Sequence, residues 1–457
     1  MSNLMAGFGR VNVTPMLGIG IVGYFKPRFA EGILDDLEIN ALALACGQDK
    51  VVFLSFDNCY IDTKILREYK KHISDVTGLP MEAIYIHATH THTGPFLNRE
   101  SGGGIDFLDP NEENSKEEQY CQIVYHKMAD AAQLALNDLK PAKMGWGIGH
   151  APNVAFNRRF RMKDGTIMTN PGVNNPDIME PAGEVDERVN VLRFDRENAE
   201  SLVLVNFGNH PDTVGGSMIS ADWPGFLRKS VEQALDNTKC IFFNGIQGDV
   251  NHVNVHPTGG FLNDTFCDFD DVSRGYGHAR YIGRVVAGAV LQVYDKVKYI
   301  TVDSLRCSQR MIQVPSNKPR PEDMPEAYRI HAIHTAGRDE ELPYTGMMLT
   351  TVVAEAARMI RLEHGPEFFE MELIGVAIGN VALIGIPGEP FTGVGLGLKE
   401  AKGWDLVLPT CLTNGSHGYF PMKEAYEEGG YEARSSSFRS GVAEQIIKEG
   451  KQLLSEL

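Results

Sequence analysis

The chain has 457 residues, of which 43% are apolar and 23% are charged, a balance typical of a globular protein with a large core. Sixty acidic against 43 basic side chains give a net charge of −17. This acidic balance argues against nucleic acid or an anionic membrane surface as the main partner, because both require a basic surface.

Seven dispersed cysteines without a C-x-x-C pair favour a reducing compartment over a disulfide framework. The N-terminus lacks a basic segment followed by a long apolar run, so we expect no signal peptide and a cytoplasmic location, with a trimmed secreted form as the alternative. No apolar stretch reaches membrane-spanning length, and we therefore expect no integral membrane segment. The oligomeric state stays open.

The N-terminal third alternates strand and helix signals. The predicted strands are residues 37–46, 51–56 and 84–88, and the predicted helices are residues 63–77, which Gly78 ends, and residues 117–139. The polar segment 101–115 between them is predicted to be a loop close to the histidines described below.

Further along the chain, the predicted strands are residues 201–211, 240–251 and two runs within 372–390, and the predicted helices are residues 222–235 and 274–296. The turn-rich segment 153–181 carries four basic residues early, and either a solvated loop or a clamp for a substrate anion fits it. Prolines interrupt regular structure near residues 315–325, which is a possible subdomain break within one domain of residues 1–457. Uninterrupted apolar runs fit strands that are buried on both faces, so we predict a mixed α/β fold with largely buried sheets flanked by helices.

Residues 82–95 (E-A-I-Y-I-H-A-T-H-T-H-T-G-P) form an apolar run that ends in His90 and His92. Two imidazoles at positions i and i+2 of extended backbone point to the same side and can share one metal ion or one substrate. A pair of histidines hydrogen-bonded in a loop fits this segment equally well.

The same layout recurs along the chain. Other apolar runs end in polar side chains: Asp57, His210, Asp249 with Asn251, and Glu389. For Asp57 alone a capped turn is the favoured interpretation. Because ligands of α/β sheets gather beyond the strand ends, we predict one joint site at the ends of these strands.

Taken in order, His90-Thr91-His92-Thr93-Gly94-Pro95, Asn209-His210-Pro211 and Gln247-Gly248-Asp249-Val250 resemble the neutral/alkaline (non-lysosomal) ceramidase family. The opening at residues 9–15 and the segments 219–225 and 414–432 are also similar to that family, so the likeness covers essentially the whole chain.

The resemblance implies one catalytic zinc ion held by His90, His210, Glu389 and Tyr419. It also implies that His92 faces the substrate and that Arg158 and Tyr431 line the substrate pocket. A ceramidase-like catalytic domain would fill residues 1–457, without the C-terminal immunoglobulin-like domain of the family.

Two positions depart from the family pattern. Asn251 stands where the family has a serine credited with nucleophilic or transition-state work, and Ser416 stands where the family has a tyrosine. Asparagine cannot act as a nucleophile, although its amide can donate a hydrogen bond to a developing oxyanion.

We therefore expect a zinc-dependent hydrolase that uses metal-activated water to cleave an amide or ester bond of a small or lipid-like N-acyl substrate, as in sphingolipid metabolism. His92 fits protonation of the leaving group, and Asp249 fits either that role or the orientation of its neighbours. Two alternatives stay open. One is a phosphoester- or sugar-processing enzyme that holds a harder ion with Asp57, Asp222 and Asp249. The other is a zinc-binding protein that has lost ceramidase activity.

Overall fold

The computed structural model describes residues 4–97, 114–257 and 265–457. The loop predicted at residues 101–115 falls almost entirely outside these described residues. The strands in chain order are β1 (Leu4–Asn12), β2 (Gly32–Ile33), β3 (Glu38–Cys46), β4 (Asp49–Phe56), β5 (Ile84–Ala88), β6 (Lys140–His150), β7 (Phe156–Asn157), β8 (Arg159–Met162), β9 (Ile167–Thr169), β10 (Ile178–Pro181), β11 (Arg188–Arg196), β12 (Ser201–Phe207), β13 (Met218–Ile219), β14 (Thr238–Asn244), β15 (Val250–Asn251), β16 (Phe266–Cys267), β17 (Ser273–Arg274), β18 (Lys298–Ile300), β19 (Leu305–Pro315), β20 (Phe368–Ile378), β21 (Val381–Gly385), β22 (Glu389–Pro390), β23 (Leu406–Thr410) and β24 (Tyr419–Phe420). The α-helices are α1 (Thr63–Thr77), α2 (Lys116–Asn137), α3 (Asp222–Ala234), α4 (Tyr276–Tyr294), α5 (Met324–Thr335), α6 (Gly346–Glu363), α7 (Thr392–Lys399), α8 (Lys423–Glu428), α9 (Tyr431–Ser435) and α10 (Val442–Glu456).

Nine of these strands form one mixed sheet in the order β14-β12-β11-β6-β1-β3-β4-β5, with β18 pairing with β6. The β12/β14 and β4/β5 pairs are parallel, and the other pairs are antiparallel. Strands β3, β5, β12 and β14 are buried along nearly their whole length, as their uninterrupted apolar runs predict.

A second sheet, in the order β19-β20-β21-β23, packs against one face of the large sheet. Leu42 and Phe53 of the large sheet share a buried apolar cluster with Val376 and Leu383 of the smaller sheet. Two stacked sheets of this kind remove apolar side chains from water on both facing surfaces, and this burial is the main favourable contribution to folding.

Helices cover the outer faces of both sheets. Helices α1 and α2 pack on one half of the large sheet, α3 and α4 pack on its other half, and α7 and α10 pack on the smaller sheet. Helix α2 lies very close to β1, because a Cβ atom at Gly7 would lie 2.1 Å from the carbonyl oxygen of Ala135. The layers run helices, sheet, sheet, helices, which confirms the predicted α/β class.

The two edge strands of the large sheet lie against each other. The backbone N–H of Asn244, the last residue of β14, donates to Nε2 of His87 in β5 over 2.9 Å. Nδ1 of the same ring therefore carries the proton, and it donates to the carbonyl oxygen of Cys411 over 2.9 Å. The sheet is rolled in this way, so the segments that follow β5, β12 and β14 meet at one place.

Several predicted boundaries and one predicted segment differ from the structure. The segment at residues 153–181 contains the short strands β7 to β10 rather than an open loop. Its Arg159 is buried and lies 3.3 Å from the carboxylate of Glu428, a partner too distant in sequence to be inferred from the segment itself. Arg274 belongs to β17 rather than to α4, and the strand predicted at residues 240–251 ends at Asn244.

Regular secondary structure is interrupted near residues 315–325, as the prolines there predict. Strand β19 ends at Pro315, and a 3₁₀ turn at Pro321–Asp323 leads into α5. All seven cysteines are free thiols, as expected. Within residues 4–97, 114–257 and 265–457, no helix combines the length and the apolar character that crossing a membrane requires.

Candidate metal centre

His90 lies two residues beyond β5, and its backbone has a positive φ of 78°. This conformation is costly for a residue with a Cβ atom, and such strain tends to occur at functional sites. The backbone N–H of His90 donates to the carbonyl of Asn58, and its Nδ1 lies 2.7 Å from the carbonyl oxygen of Cys59. The second contact leaves Nε2 pointing into the centre.

His210 lies three residues beyond β12 and is fully buried. Its Nδ1 lies 3.3 Å from the carbonyl oxygen of Gln247, and its own carbonyl accepts a hydrogen bond from the indole N–H of Trp223 over 3.3 Å. The contact of Nδ1 orients the ring with Nε2 directed into the centre, and the bond from Trp223 fixes the backbone of His210.

Glu389 comes from the second half of the chain and opens β22, which pairs in parallel with β24 so that Glu389 lies beside Tyr419. The side-chain amide of Gln247 donates to Oε2 of Glu389 over 3.4 Å. Gly248 allows the backbone after Gln247 to lie close to Glu389, because a Cβ atom at Gly248 would be only 2.4 Å from the Glu389 carbonyl oxygen.

Three atoms of these side chains converge. His90 Nε2 lies 3.0 Å from His210 Nε2 and 3.2 Å from Glu389 Oε2, and the remaining separation is 3.6 Å. Two atoms that each lie about 2.0–2.1 Å from a tetrahedral zinc ion are about 3.3 Å apart, so the three separations match the edges of such a site. With both Nδ1 atoms directed at carbonyl oxygens, the three converging atoms form a group that could hold a metal ion.

The protonation states of the three side chains fit this interpretation. Burial, followed by the charge of Arg158, lowers the pKa of His210 well below its usual value and keeps the ring neutral. Burial acts to raise the pKa of Glu389, but His90, Arg158 and His92 together lower it below its usual value and keep the carboxylate ionised. Burial also acts to lower the pKa of His90, but Cys59 and Glu389 raise it well above its usual value, so a metal-free centre holds a proton that a metal would displace.

Among the described residues, a second group of possible ligands consists of Cys59, His90 and His92. His92 Nε2 lies 3.2 Å from His90 Nε2, but His92 is not part of the group formed by His90, His210 and Glu389. Burial lowers the pKa of His92 to about 3, so its imidazole is neutral. This position beside the centre fits the predicted contact with substrate.

Tyr419, Tyr431 and Arg158 lie together next to Glu389. The two tyrosine rings are 5.5 Å apart, and the guanidinium of Arg158 lies 5.4 Å from the centre of the Tyr419 ring. Arg158 Nε is 2.7 Å from a carboxylate oxygen of the fully buried Glu432. This ion pair neutralises much of the charge that Arg158 could offer to a substrate anion. The roles of Tyr419 as a ligand and of Arg158 and Tyr431 as pocket residues stay predictions.

Asp249 and Asn251 both use their side chains within the protein. The carboxylate of Asp249 accepts hydrogen bonds from the backbone N–H and the hydroxyl of Thr392 over 2.7 and 2.8 Å and thereby holds the start of α7. The amide of Asn251 donates to the side-chain oxygen of Asn170 over 2.9 Å, and its own oxygen accepts from the N–H of Val253. These contacts favour orientation of neighbouring backbone for Asp249, while the catalytic roles of both residues stay predictions.

The carboxylates of the harder-ion alternative are engaged elsewhere. Asp57 is paired with Arg228, and Asp222 accepts hydrogen bonds from the backbone N–H groups of Thr213 and Val214 over 2.8 Å each. None of Asp57, Asp222 and Asp249 belongs to a metal-capable group among the described residues. The structure gives this alternative no oxygen-rich site.

No protein-family model matches the chain. Its structure is similar to that of a neutral ceramidase from Pseudomonas aeruginosa, with a TM-score of 0.72 at 16% sequence identity over 99% of this chain and 74% of that chain. A ceramidase complexed with C2 gives a TM-score of 0.72 at 15% identity over 100% of this chain and 76% of the other. The chain has a neutral ceramidase-like fold. The fold expected from the sequence motifs is thereby confirmed.

Within this neutral ceramidase-like fold, sequence reasoning missed the residues that hold the ligands in place. Asn244 bridges the two histidine loops, because its amide donates to the carbonyls of Thr89 and Asn209 over 3.2 and 3.1 Å. Gln247 lies in a motif that the sequence did single out, but its contacts with His210 and Glu389 could not be inferred. Asp212, two residues after His210, lies 3.7 Å from His92 and had no signal beyond its position.

Proposed function

We propose that this protein is a zinc-dependent hydrolase that cleaves the amide bond, or an ester bond, of a lipid-like N-acyl substrate. The observation that carries the proposal is the convergence of His90 Nε2, His210 Nε2 and Glu389 Oε2 at the edge lengths of a tetrahedral zinc site. Support for the substrate class comes from the neutral ceramidase-like fold in which this centre lies.

In this proposal His90, His210, Glu389 and Tyr419 hold the metal. Zinc bound by protein ligands with one open position acidifies a water molecule and polarises a carbonyl group. His92 lies beside the centre, where its Nε2 can take a proton from the attacking water and return it to the leaving nitrogen.

The other pocket residues orient the substrate. Arg158 and Tyr431 would line one side of the substrate beside Tyr419, and the ion pair of Arg158 with the buried Glu432 would hold the guanidinium in place. The remaining N–H of the Asn251 amide is the group that would donate to the oxyanion, since its oxygen and one N–H are already bonded within the protein.

The first test measures zinc content by elemental analysis. We expect about one zinc ion per chain in the unmodified protein and a large loss in His210→Ala, because a zinc site needs its full set of protein ligands. The matched control is His252→Ala, since His252 is equally buried but bonds to the carbonyl of Ser273 outside the centre. Tight zinc retention by His210→Ala would overturn the ligand assignment.

The second test measures hydrolysis by the zinc-loaded protein. N-acyl amides of increasing chain length and the matching esters are compared, and release of the fatty acid is followed. We expect turnover of long-chain amides that His210→Ala abolishes. Activity restricted to phosphoesters or sugars, or activity that needs magnesium in place of zinc, would contradict the proposal.

The internal hydrogen bonds of Asn251 favour a second candidate, a zinc-binding protein without hydrolytic activity. An asparagine engaged with Asn170 and Val253 supplies no nucleophile. Bound zinc together with no turnover over the whole amide and ester panel would select this candidate. A gain of amide hydrolysis in Asn251→Ser would then identify that position as the cause.

A further inference from the structure

Asp212 is a carboxylate beside the candidate metal centre, with its side chain 14% exposed, and it has no role in the chemistry proposed above. It follows His210 by two residues, and its Oδ1 lies 3.7 Å from Nδ1 of His92. In the described part of the chain, that Nδ1 has no hydrogen-bond partner, although His92 is only 8% exposed. A buried imidazole nitrogen without a partner is costly, and a facing carboxylate is the natural acceptor for its proton.

The Asp212 carboxylate is fixed in place from its other side. Arg274 donates to Oδ2 from a terminal nitrogen over 2.6 Å and to Oδ1 from Nε over 3.1 Å. The hydroxyl of Tyr24 also donates to Oδ1. Arg274 is itself 1% exposed and forms a two-bond pair with Asp270 over 2.6 and 2.8 Å. Oδ1, the oxygen that faces Nδ1 of His92, thus accepts two hydrogen bonds and Oδ2 accepts one, and these bonds hold the carboxylate beside the His92 ring.

The His92 ring has little freedom to turn away. Its backbone N–H donates to the carbonyl of Pro211, and its carbonyl accepts from Arg28 over 2.7 Å. Gly23 lies against the ring with a φ of +112°, and a Cβ atom there would be 2.8 Å from Nδ1. The backbone of Gly23 therefore confines the ring edge that faces Asp212, while Nε2 on the opposite edge lies 3.2 Å from His90 Nε2.

We infer that Asp212 is a positioning residue that accepts a hydrogen bond from the Nδ1–H of His92 and so directs the lone pair of Nε2 at the reacting atoms. The 3.7 Å separation needs only a small movement to become a hydrogen bond, and such bonds are often long in the absence of substrate. This inference rests on the proposed function. In the reaction, Nε2 takes one proton from the attacking water and returns one to the leaving nitrogen, and Asp212 stays ionised throughout.

The test compares Asp212→Asn with the matched control Asp270→Asn. Both changes remove one of the three carboxylates that pair with Arg274, those of Asp212, Asp268 and Asp270, and of the two residues changed only Asp212 faces His92. The first readout is the tautomer of His92 in the zinc-loaded protein, measured by ¹⁵N nuclear magnetic resonance, with His92→Gln used to assign the signal. We expect the Nδ1–H tautomer in the unmodified protein and in Asp270→Asn, and a shift towards the Nε2–H tautomer in Asp212→Asn.

The second readout is kinetic. For a long-chain N-acyl amide, Asp212→Asn should lower kcat by about 10²–10⁴-fold, the contribution of a correctly placed acid–base group, with KM and zinc content unchanged. Asp270→Asn should retain a kcat close to that of the unmodified protein. Equal losses of kcat in both variants would show that Asp212 acts only through Arg274 and would overturn the inference.

The tautomer measurement separates the two proposals. If the unmodified protein shows His92 as the Nε2–H tautomer, the inference about Asp212 is refuted whatever the activity, and this readout does not require Asp212→Asn to fold. If the protein hydrolyses no acyl amide but His92 carries its proton on Nδ1 in an Asp212-dependent way, the proposed function fails and the positioning of His92 stands.

Discussion

Asn244 gives the sharpest test of how the fold holds the metal centre, because one side chain joins the two loops that carry His90 and His210. Its amide donates to the carbonyl oxygens of Thr89 and Asn209, and its oxygen lies 3.3 Å from the backbone N–H of Asn209. We predict that Asn244→Asp weakens zinc binding although it removes no ligand.

The magnitude follows from what the substitution does. A carboxylate oxygen replaces an amide nitrogen that donates two hydrogen bonds, so two buried carbonyl groups lose a partner. Each loss costs roughly 1–3 kcal/mol, and the free energy of unfolding should fall by about 2–6 kcal/mol. The same two bonds set the spacing of the histidine loops, so zinc affinity should fall by roughly 10–100-fold, as is usual when a partner outside the ligand set is lost.

Asn206 supplies the matched control. It is a buried asparagine on β12, and its amide also donates to two buried carbonyl oxygens, those of Phe243 and Pro409, over 3.1 Å each. Neither carbonyl belongs to a loop that carries a predicted ligand. Asn206→Asp should therefore lose as much stability as Asn244→Asp while binding zinc as tightly as the unmodified protein.

Two measurements decide the matter. Urea unfolding of the metal-free proteins gives the free energies of unfolding, and competition with a coloured chelator gives the zinc affinities. The reasoning is refuted if Asn206→Asp weakens zinc binding as much as Asn244→Asp does. It is also refuted if Asn244→Asp loses the expected stability and keeps the zinc affinity of the unmodified protein.

Two further predictions concern His87 and Tyr419. Burial lowers the pKa of His87 to about 3, so the unfolded chain takes up a proton near pH 6.5 that the folded chain does not bind. His87 alone should therefore contribute a fall in the free energy of unfolding of about 1.4 kcal/mol per pH unit as the pH drops from 6.5 towards 3, in addition to the contributions of other buried histidines such as His278. Urea melts across this range should show that slope reduced by one proton in His87→Gln, and an unchanged slope would refute the assignment. If the Tyr419 oxygen is a ligand, Tyr419→Phe should weaken zinc binding by at least about tenfold. The control is Tyr431→Phe, because the Tyr431 ring lies 5.5 Å from that of Tyr419 and is not a predicted ligand. Equal zinc affinities of the two variants would remove Tyr419 from the ligand set.

The sequence predicted those features whose physical cause is local. Residues 63–77 form a helix that ends at Gly78, which has a left-handed φ of 73°, as a glycine in that place predicts. The apolar runs before His90 and His210 became buried strands, because an uninterrupted apolar segment of that length fits a strand covered on both faces. Their convergence with Glu389 followed from the tendency of strand ends to meet at one edge.

The features that the sequence did not predict depend on distant partners. Asn244 is separated by 155 positions from Thr89, and no local pattern marks it as the residue that joins two loops. Residues 153–181 read as a loop because strands of two to four residues carry too few side chains for a period to show. Arg158 and Arg159 are buried there because Glu432 and Glu428, more than 250 positions away, compensate their charges.

The candidate metal centre and the proposed substrate pocket depend on different parts of the chain. The candidate ligands lie at strand ends, and backbone carbonyls, those of Cys59 and Gln247, orient the two histidines. The pocket is built from side chains on short strands and on α9, and here Asn251 departs from the serine of the family motif. We expect residues such as Asn251 and Tyr431, rather than the candidate ligands, to determine which substrate is accepted.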